Sequence, residues 1–414
     1  MPAVCSLASL MARSRPHLLV LNQYYAPGVE ATAGLLTDIC EELATTYDVT
    51  VVTGRLRGHE SEADFELRNG VEVIRVHSSS FDRAQLFHRA VNYLTYVARA
   101  LRRGLAGRRP DLVLSMTDPP MIGSVAYLVA RRFRVPFVVV AEDVFPEIAV
   151  ALGRLRNPLI IVPLRLLTRH YFKRADRVVA IGETMKQRLI EKGTPPARIT
   201  VIPNWVDTSV IAPRPRDNEW AREHELTDGF VVMHSGNIGY AQDLETLIRA
   251  GALLKDVPTI SIVLVGLGAR HQEYVRLTES CGASNVRFLP YQPREILPLS
   301  LSSCDVHFVG LGAGLAGYVV PSRLAGIMAA GRPVIAAAED ESETAATVRA
   351  ARCGRVTAPG DPVSLAATIR ELSQANDLEA LGQNARVFAV DNFDRRVSIA
   401  QYRALVAEVM SHAS

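Results

Sequence analysis

The sequence predicts an α/β protein made of two Rossmann-like, doubly wound domains. Short β-rich runs alternate with segments of helical spacing along the whole chain. Some strand runs, such as FVVVA at residues 137–141, are apolar throughout, which is typical of parallel strands covered on both faces. A chain of 414 residues, 48% hydrophobic and 21% charged, is also long enough to build two separate cores.

The first half of the chain supplies strands and helices in alternation. Strand patterns occur in HLLVLNQYY, DVTVVTG, VEVIRVH, PDLVLSMT and VPFVVVAED. Helical spacing occurs in ATAGLLTDICEELATTY, in an amphipathic helix from about Phe81 to Gly107, and in PPMIGSVAYLVARRF, which opens with proline. Strands separated by helices predict a parallel sheet.

The second half repeats the alternation, with strands in GFVVMHSG, TISIVLVG, NVRFLP, CDVHFVG and RPVIAAA. The proline-rich stretch IPNWVDTSVIAPRPRDNEW between the halves predicts a hinge. We therefore expect an N-terminal domain over residues 1–205, a hinge over 206–228 and a C-terminal domain over 229–392. A C-terminal helix over 393–414 is expected to pack back on the N-terminal domain. Ligands of such sheets bind outside the carboxyl ends of the strands, so the cleft between the domains is the expected site.

Composition and charge exclude several classes of protein. The five cysteines are scattered, without metal or disulfide spacing, which is typical of reduced thiols in a cytoplasmic protein. In the first 17 residues Arg13 and Arg15 follow the apolar part, so we interpret this stretch as an untidy leader or a misassigned start and not as a signal peptide. Because no run of about 18 apolar residues occurs, we do not expect the chain to span a membrane.

Positive charge is concentrated in the first half of the chain. Residues 1–200 hold 27 Lys and Arg against 19 Asp and Glu, whereas the remainder holds 19 against 24. The excess lies mainly in HRAVNYLTYVARALRRGLAGRR, in RRFR and in LRLLTRHYFKRADR. Solvated helix faces explain it as readily as a surface on an anionic leaflet, where each cation adds roughly 1 kcal/mol. Nucleic acid is not an expected partner, because no nucleic-acid-binding module occurs.

Two glycine turns follow predicted strands. The first, HSGNIGYAQDLETLI, has Gly236, Asn237 and Gly239 before a helix, and the second, LVGLGARHQEY, has Gly266 and Gly268. Glycine lets backbone approach a ligand closely, and N–H groups at a helix start attract phosphate. Each turn taken alone is equally well explained as a tight strand-to-helix connection. A GxGxxG fingerprint is absent, which argues against a simple NAD enzyme.

A third turn lies in GYVVPSRLAGIMAAGRPVIA, residues 317–336, where Ser322 and Arg323 open a helix of small residues. Ser322 could cap that helix and Arg323 could be a surface charge, or both could bind phosphate. Three phosphate-capable turns at one sheet edge predict a site for a nucleotide diphosphate.

Carboxylates follow strands in the first half. AEDVFPE contains Glu142, Asp143 and Glu147, which could position an acceptor hydroxyl or stabilise positive charge at a sugar carbon. Asp118 in TDPP is expected to line the cleft. The plainer alternatives are a turn cap at Asp143, a solvated Glu147 and a helix cap at Asp118. His307 alternates with apolar residues, which predicts a sheet histidine. No DxD, HExxH or Cys/His cluster occurs, so neither a metal nor another cofactor is expected.

Taken together, these motifs resemble the retaining glycosyltransferases of family 4, of the group 1 type, which have the GT-B fold. The similarity runs from LNQYYAPGVEATAGLLTDICEELA through SMTDPP, AEDVFPE, YFKRADRVVAIGETMKQRL and ITVIPNWVD to HSGNIGYAQDLETLI, VPSRLAGIMAAGRPVIA and ESETA. It covers nearly the whole chain in order and spacing, and is greatest to bacterial cell-surface polysaccharide enzymes that extend lipid-linked oligosaccharides.

The resemblance implies roles for particular residues. The donor diphosphate would lie at the Gly236–Gly239 turn with Ser322 and Arg323 nearby. The FLPYQP loop would hold the base, mostly through its backbone, at Pro290, Tyr291 and Gln292. The residues implied to line the cleft or face the donor or acceptor are Asp143, Glu147, Asn204 and Glu30.

The chain departs from the family pattern in three places, one of which is Glu142-Asp143, where many members have HD. A pair of glutamates with seven residues between them is common in the family, but Tyr318 and Gly326 stand at those positions, which leaves Glu343 in ESETA as the candidate for the donor ribose. Tyr240 follows the Gly236–Gly239 turn where many members have a basic residue.

The expected function is that of a metal-independent hexosyltransferase. It would move a sugar, with retention, from a nucleotide diphosphate sugar, UDP-linked, to a lipid-linked saccharide in cell-surface polysaccharide biosynthesis. It would be cytoplasmic and peripherally associated with the inner leaflet of the membrane. Two alternatives are a GT-B sugar-nucleotide epimerase, which has no use for the basic helix, and a non-catalytic membrane-bound partner subunit of a glycosyltransferase.

Overall fold

A computed structural model describes residues 15–28, 31–55, 63–77, 79 and 86–413. The strands are β1 (His17–Leu21), β2 (Asp48–Gly54), β3 (Phe65–Arg68), β4 (Val71–Val76), β5 (Leu112–Ser115), β6 (Phe137–Ala141), β7 (Arg177–Ala180), β8 (Ile199–Val201), β9 (Phe230–Ser235), β10 (Ile260–Val265), β11 (Val286–Leu289), β12 (Val306–Gly310), β13 (Val334–Ala337) and β14 (Gly354–Thr357).

The α-helices of the same residues alternate with these strands. They are α1 (Ala31–Leu43), α2 (Leu86–Ala106), α3 (Ile122–Phe133), α4 (Glu147–Ala151), α5 (Pro158–Arg174), α6 (Glu183–Glu191), α7 (Glu219–Glu223), α8 (Leu244–Leu253), α9 (His271–Cys281), α10 (Leu297–Ser302), α11 (Arg323–Ala329), α12 (Glu343–Ala351), α13 (Pro362–Leu372), α14 (Leu378–Asn392) and α15 (Arg395–Ala413). The long helix expected from about Phe81 is described from Leu86 onward. None of the described helices is both long and apolar enough to cross a bilayer.

The first sheet has eight strands in the order β3-β4-β2-β1-β5-β6-β7-β8. Its register is parallel where β1 pairs with β2 and β5, and where β2 pairs with β4. The expectation of a purely parallel sheet is wrong at one edge, because β3 pairs with β4 in the antiparallel direction. The reason is the two-residue loop Asn69-Gly70, in which both residues have positive φ, as a tight hairpin turn requires.

The second sheet has six strands in the order β11-β10-β9-β12-β13-β14. All its pairings are parallel, as the sequence predicts, and β14 is a strand that the sequence patterns did not indicate. Its core packs Val232, Leu264 and Phe308 against apolar residues of α8 and α13. Because β10, β9 and β12 are neighbours, their carboxyl ends and the turns that follow them lie side by side.

The described chain divides into two compact units. One holds the residues up to Val140, Arg174–Arg177 and the residues from Arg403 onward, and the other holds Ala141–Lys173 and Val178–Tyr402. Within the first unit, Arg403 of α15 pairs with Glu42 of α1 over 3.2 Å. The expected domain bounds, with a hinge over 206–228, stay a prediction.

Candidate functional site

The glycine turns after β9 and β10 pack directly against each other. A Cβ atom on Gly266 would lie 1.9 Å from the carbonyl oxygen of Gly236, and one on Gly268 would lie 2.3 Å from that of Ile238. The Gly236 N–H also donates to the Val265 carbonyl over 2.9 Å. Gly266 and Gly268 are therefore explained by the packing of one turn on the other, and their expected contact with a donor stays a prediction.

Gly236 faces Arg323 across the sheet edge. A Cβ atom on Gly236, whose φ is 138°, would lie 3.6 Å from Cδ of Arg323. Arg323 Nη2 donates to the carbonyl oxygen of Gly310, the last residue of β12, over 2.9 Å. The structure thus brings together, at the carboxyl ends of two neighbouring strands, two residues that the sequence analysis assigned to one site.

The charge at this point is positive. Arg323 is half-buried, and burial lowers its pKa to about 10, so it remains charged at neutral pH. Within the described residues Arg323 forms no ion pair. Burial, followed by the charge of Arg323, holds the pKa of His234 well below its usual range, so this histidine on β9 is neutral. A guanidinium with several N–H donors suits the oxygens of a phosphate, which it can bind in bidentate fashion.

Ser322 does not cap the helix that follows it. Its φ of −58° and ψ of −25° are helical, its side chain makes no capping hydrogen bond, and it is exposed. The capping alternative is therefore wrong for this residue. The helix α11 has only seven residues, so the positive charge at this turn comes from Arg323 and not from the dipole of a long helix.

The turn after β9 is bordered by residues that sequence reasoning missed. Arg154 Nη1 donates to the hydroxyl of Tyr240 over 2.9 Å, and its guanidinium carbon lies 4.5 Å from the ring centroid. Arg270 lies 5.8 Å from the same centroid. Tyr240 stands where the resemblance expects a basic residue, and two guanidinium groups lie against it. Within the turn, Asn237 is exposed and the Gly239 N–H is bound to a neighbouring side chain.

Asp143 lies beside the segment that leads into Ser322. Its backbone forms an isolated antiparallel bridge with Val319, and the N–H of Val144 donates to the Tyr318 carbonyl over 2.9 Å. Val319 precedes Ser322 by only three residues. The acidic stretch after β6 therefore lies close to the segment that leads into the serine of the third turn, and a shared role of the two in one site stays a prediction.

The other predicted groups after β6 have defined partners. Asn204 Nδ2 donates to Glu142 over 2.8 Å. Glu147 binds both Lys192 Nζ, over 2.5 Å, and Arg165 Nε, over 3.2 Å, and is half-buried. The alternative of a solvated Glu147 is therefore wrong. This network gives Glu147 a structural role, and its expected catalytic role stays a prediction.

Glu343, the candidate for the donor ribose, is the first residue of α12. One oxygen of its carboxylate accepts from the Thr184 N–H over 3.2 Å and from the Thr184 hydroxyl over 3.3 Å. A Cβ atom on Gly182 would lie 2.5 Å from that oxygen, so glycine leaves the space that the carboxylate fills. A ribose contact at Glu343 stays a prediction.

The loop after β11 holds the residues expected at the base. Pro290 and Tyr291 are exposed, whereas the Gln292 amide accepts from Trp220 Nε1 over 3.0 Å and donates to the Pro290 carbonyl over 3.0 Å. The Gln292 side chain is thus held by the protein itself, and a role of the loop backbone in binding the base stays a prediction.

Asp118 and Glu30 are the last two residues that the sequence analysis assigned to the site. Asp118 belongs to the first compact unit, where its carbonyl accepts from the Gln23 N–H over 2.8 Å. It is not the cap of α3, because that helix begins at Ile122 with Met121 in the cap position. Glu30 lies outside the described residues. His307 is a buried histidine of β12, as the sequence predicts.

The architecture and the family comparisons agree on the class of protein. A family model described as "Glycosyl transferase 4-like domain" matches residues 32–205, and one described as "Glycosyl transferases group 1" matches residues 216–388. The chain belongs to the group 1 glycosyltransferases and has the GT-B fold, which confirms both the resemblance and the fold class that the sequence predicts.

The chain is similar to the probable glycosyltransferase WbjE of Pseudomonas aeruginosa, with 30% identity over 74% of this chain and 76% of that one. It is 29% identical to the putative colanic acid biosynthesis glycosyl transferase WcaI of Escherichia coli, over 55% of this chain and 56% of that one. Among solved structures it is similar to Anabaena Alr3699/HepE in complex with UDP, with a TM-score of 0.74 and 19% identity over 95% of this chain and 100% of that one.

Proposed function

We propose that this glycosyltransferase moves a sugar, with retention of the anomeric configuration, from a nucleotide diphosphate sugar to a lipid-linked saccharide of a cell-surface polysaccharide. The observation that carries the proposal is the half-buried guanidinium of Arg323 beside Gly236, at the carboxyl ends of β9 and β12. Ligands of open α/β sheets bind at this edge, and a cation there is suited to a diphosphate.

The proposed step is a front-face substitution at the sugar. The bond from the anomeric carbon to the diphosphate oxygen breaks, and its electron pair leaves with the diphosphate. The acceptor hydroxyl oxygen bonds to the same face of that carbon, and its proton passes to the departing diphosphate oxygen. Arg323 offsets the charge that grows on the diphosphate, and Asp143 is the candidate for stabilising the positive sugar. No metal is required in this scheme.

A uridine donor is supported by the similar HepE protein, whose structures are described as complexes with UDP and with UDP-glucose. A polysaccharide acceptor is supported by WcaI, whose name places it in colanic acid biosynthesis. Association with the inner membrane leaflet is supported by the basic first half of the chain.

The test is transfer by the purified protein in the presence of EDTA. UDP-sugars and GDP-sugars would each be offered with a lipid-linked saccharide extracted from membranes, and the product would be followed by mass spectrometry and by NMR of the new linkage. The proposal predicts product from a UDP-sugar with the anomeric configuration of the donor. An inverted product would contradict retention, and a product only from GDP-sugars would contradict the uridine donor. An absolute need for a divalent cation would contradict the metal-independent scheme.

A further inference from the structure

One helix surface leaves large apolar side chains in solvent. Within α5, Leu159 is 82% exposed, Leu166 61%, Val162 51% and Ile160 48%. No other helix in the described ranges exposes as many large apolar side chains within so few residues. An apolar patch of this kind beside polar groups marks a contact with a protein or a membrane.

Helical geometry collects these side chains on one face. Leu159, Val162 and Leu166 are spaced i, i+3 and i+7, so they share a face of α5. The opposite face includes Ile161 and Phe172, which are buried. The buried face therefore packs α5 against the protein, whereas the apolar side chains of the exposed face make no contribution to that packing.

In the C-terminal half of α5 the same exposed face carries positively charged side chains. Arg169 and Lys173 follow Leu166 at spacings of three and seven, and both are exposed. Neither forms an ion pair with any described residue. From Glu147 to Asp176 the sequence contains no other acidic residue, and Glu147 is paired with Arg165 and Lys192, so α5 itself offers no acidic partner to Arg169 or Lys173.

We infer that this outer face docks on an anionic lipid leaflet. The α5 surface, as we call it, consists of Leu159, Val162, Leu166, Arg169 and Lys173. Its apolar side chains would enter the boundary between headgroups and acyl chains, while its cations bind lipid phosphates. The inference rests on the membrane association proposed above and names the surface that makes it.

Lipid is favoured over a second copy of the chain for two reasons. A stable protein interface uses roughly 20 residues on each side, whereas this helix face offers only a few apolar side chains. A second copy would also present the same acid-free surface, which offers no counter-charge to Arg169 and Lys173.

The experiment is co-sedimentation of the full chain with vesicles. One set contains phosphatidylcholine and phosphatidylglycerol in equal parts, and the other contains phosphatidylcholine alone. The variants are L159S/L166S, R169Q/K173Q and, as a control with the same change in charge, R102Q/R103Q on exposed positions of α2. UDP affinity is measured for every variant, so that loss of the donor site is distinguished from loss of lipid binding.

The wild type should bind the anionic vesicles far more tightly than the neutral ones. R169Q/K173Q should bind them about 30-fold more weakly, since each cation near an anionic leaflet contributes roughly 1 kcal/mol. L159S/L166S should lose at least about tenfold through the lost apolar insertion, and R102Q/R103Q should bind nearly as the wild type does. UDP affinity should be unchanged throughout.

Three results would overturn the assignment. The first is a wild type that binds UDP but not the anionic vesicles. The second is equal binding by all the variants, or a greater loss in R102Q/R103Q than in R169Q/K173Q, which would place the contact on α2. The third is a dimer that L159S/L166S converts to monomer in sedimentation velocity, which would make a second copy the occupant.

Discussion

Replacing Arg323 by methionine separates binding from stability. Burial lowers the pKa of this guanidinium from its ordinary value to about 10, so the folded chain disfavours its charged form. At 1.36 kcal/mol per pH unit, the charge costs the unliganded fold at most about 3 kcal/mol. This cost applies at every pH below about 10 and fades as the pH rises further towards the ordinary pKa of arginine. Losing the hydrogen bond from the charged guanidinium to Gly310 costs about 1.5–3 kcal/mol in the other direction.

These two contributions to stability are of similar size, so the Arg323→Met variant should unfold at nearly the same temperature as the wild type. Its affinity for UDP should fall about 10- to 100-fold, because a hydrogen bond to a charged group is worth about 1.5–3 kcal/mol. Thermal unfolding and titration calorimetry measure the two effects separately.

Arg332 offers a matched control. It is also half-buried, burial lowers its pKa, and its guanidinium donates to a backbone carbonyl over 2.9 Å. It precedes β13, however, and so lies at the amino end of that strand, away from the turns of the candidate site. Arg332→Met should leave UDP affinity unchanged. Wild-type affinity in Arg323→Met, or equal losses in both variants, would refute the assignment of Arg323 to the donor diphosphate.

Three further predictions follow from other contacts. Gly266→Ala should lower the free energy of unfolding by about 2–5 kcal/mol, because its Cβ would lie 1.9 Å from a backbone oxygen. Gly282→Ala, whose Cβ would meet nothing within 4 Å, should lower it by only about 1–2 kcal/mol. Equal losses in the two variants, measured by denaturant unfolding, would contradict this. Burial raises the pKa of Asp394, but hydrogen bonds outweigh burial and hold it at about 2. The stability difference between wild type and Asp394→Asn should therefore vanish as pH falls from about 4 to 2, and a constant difference would refute it. Arg154→Gln should weaken UDP binding up to about fivefold in calorimetry if its charge replaces the basic residue missing at Tyr240, and unchanged affinity would exclude that role.

Much of the fold follows from the sequence because parallel strands carry a strong local signal. Runs such as FVVVA are apolar throughout, and the glycine turns mark where such strands end. The edge strand β3 was missed although Asn69-Gly70 is a hairpin signal, because its residues Phe65 and Leu67 face solvent and give no buried pattern. Exposed edge strands lack the apolar periodicity on which the other predictions depend.

The sequence predicted individual residues of the candidate site. Which of them have a structural role depends on contacts between residues that are remote in sequence. Whether Gly266 and Gly268 are structural depends on the carbonyls of Gly236 and Ile238, which lie in another turn. The approach of Arg154 to Tyr240 joins residues 86 positions apart and leaves no local pattern. Such contacts exist only once the chain has folded.

The α5 surface shows a different limit of sequence reasoning. PLIIVPLRLL is too short to span a bilayer, and its apolar residues are chemically alike. Leu159 and Ile161 differ only in which of them packs against the protein, and that choice is made by the tertiary structure. The pattern alone therefore could not indicate which apolar side chains would remain in solvent.

The central claim is that the donor diphosphate lies between the turn after β9 and Arg323. Hydrogen–deuterium exchange with and without UDP tests it most directly, because it maps protected backbone without any substitution. We expect slower exchange in peptides that cover residues 236–243 and 319–325, and little change in α5. Protection that is absent from both segments while UDP binds elsewhere would contradict it.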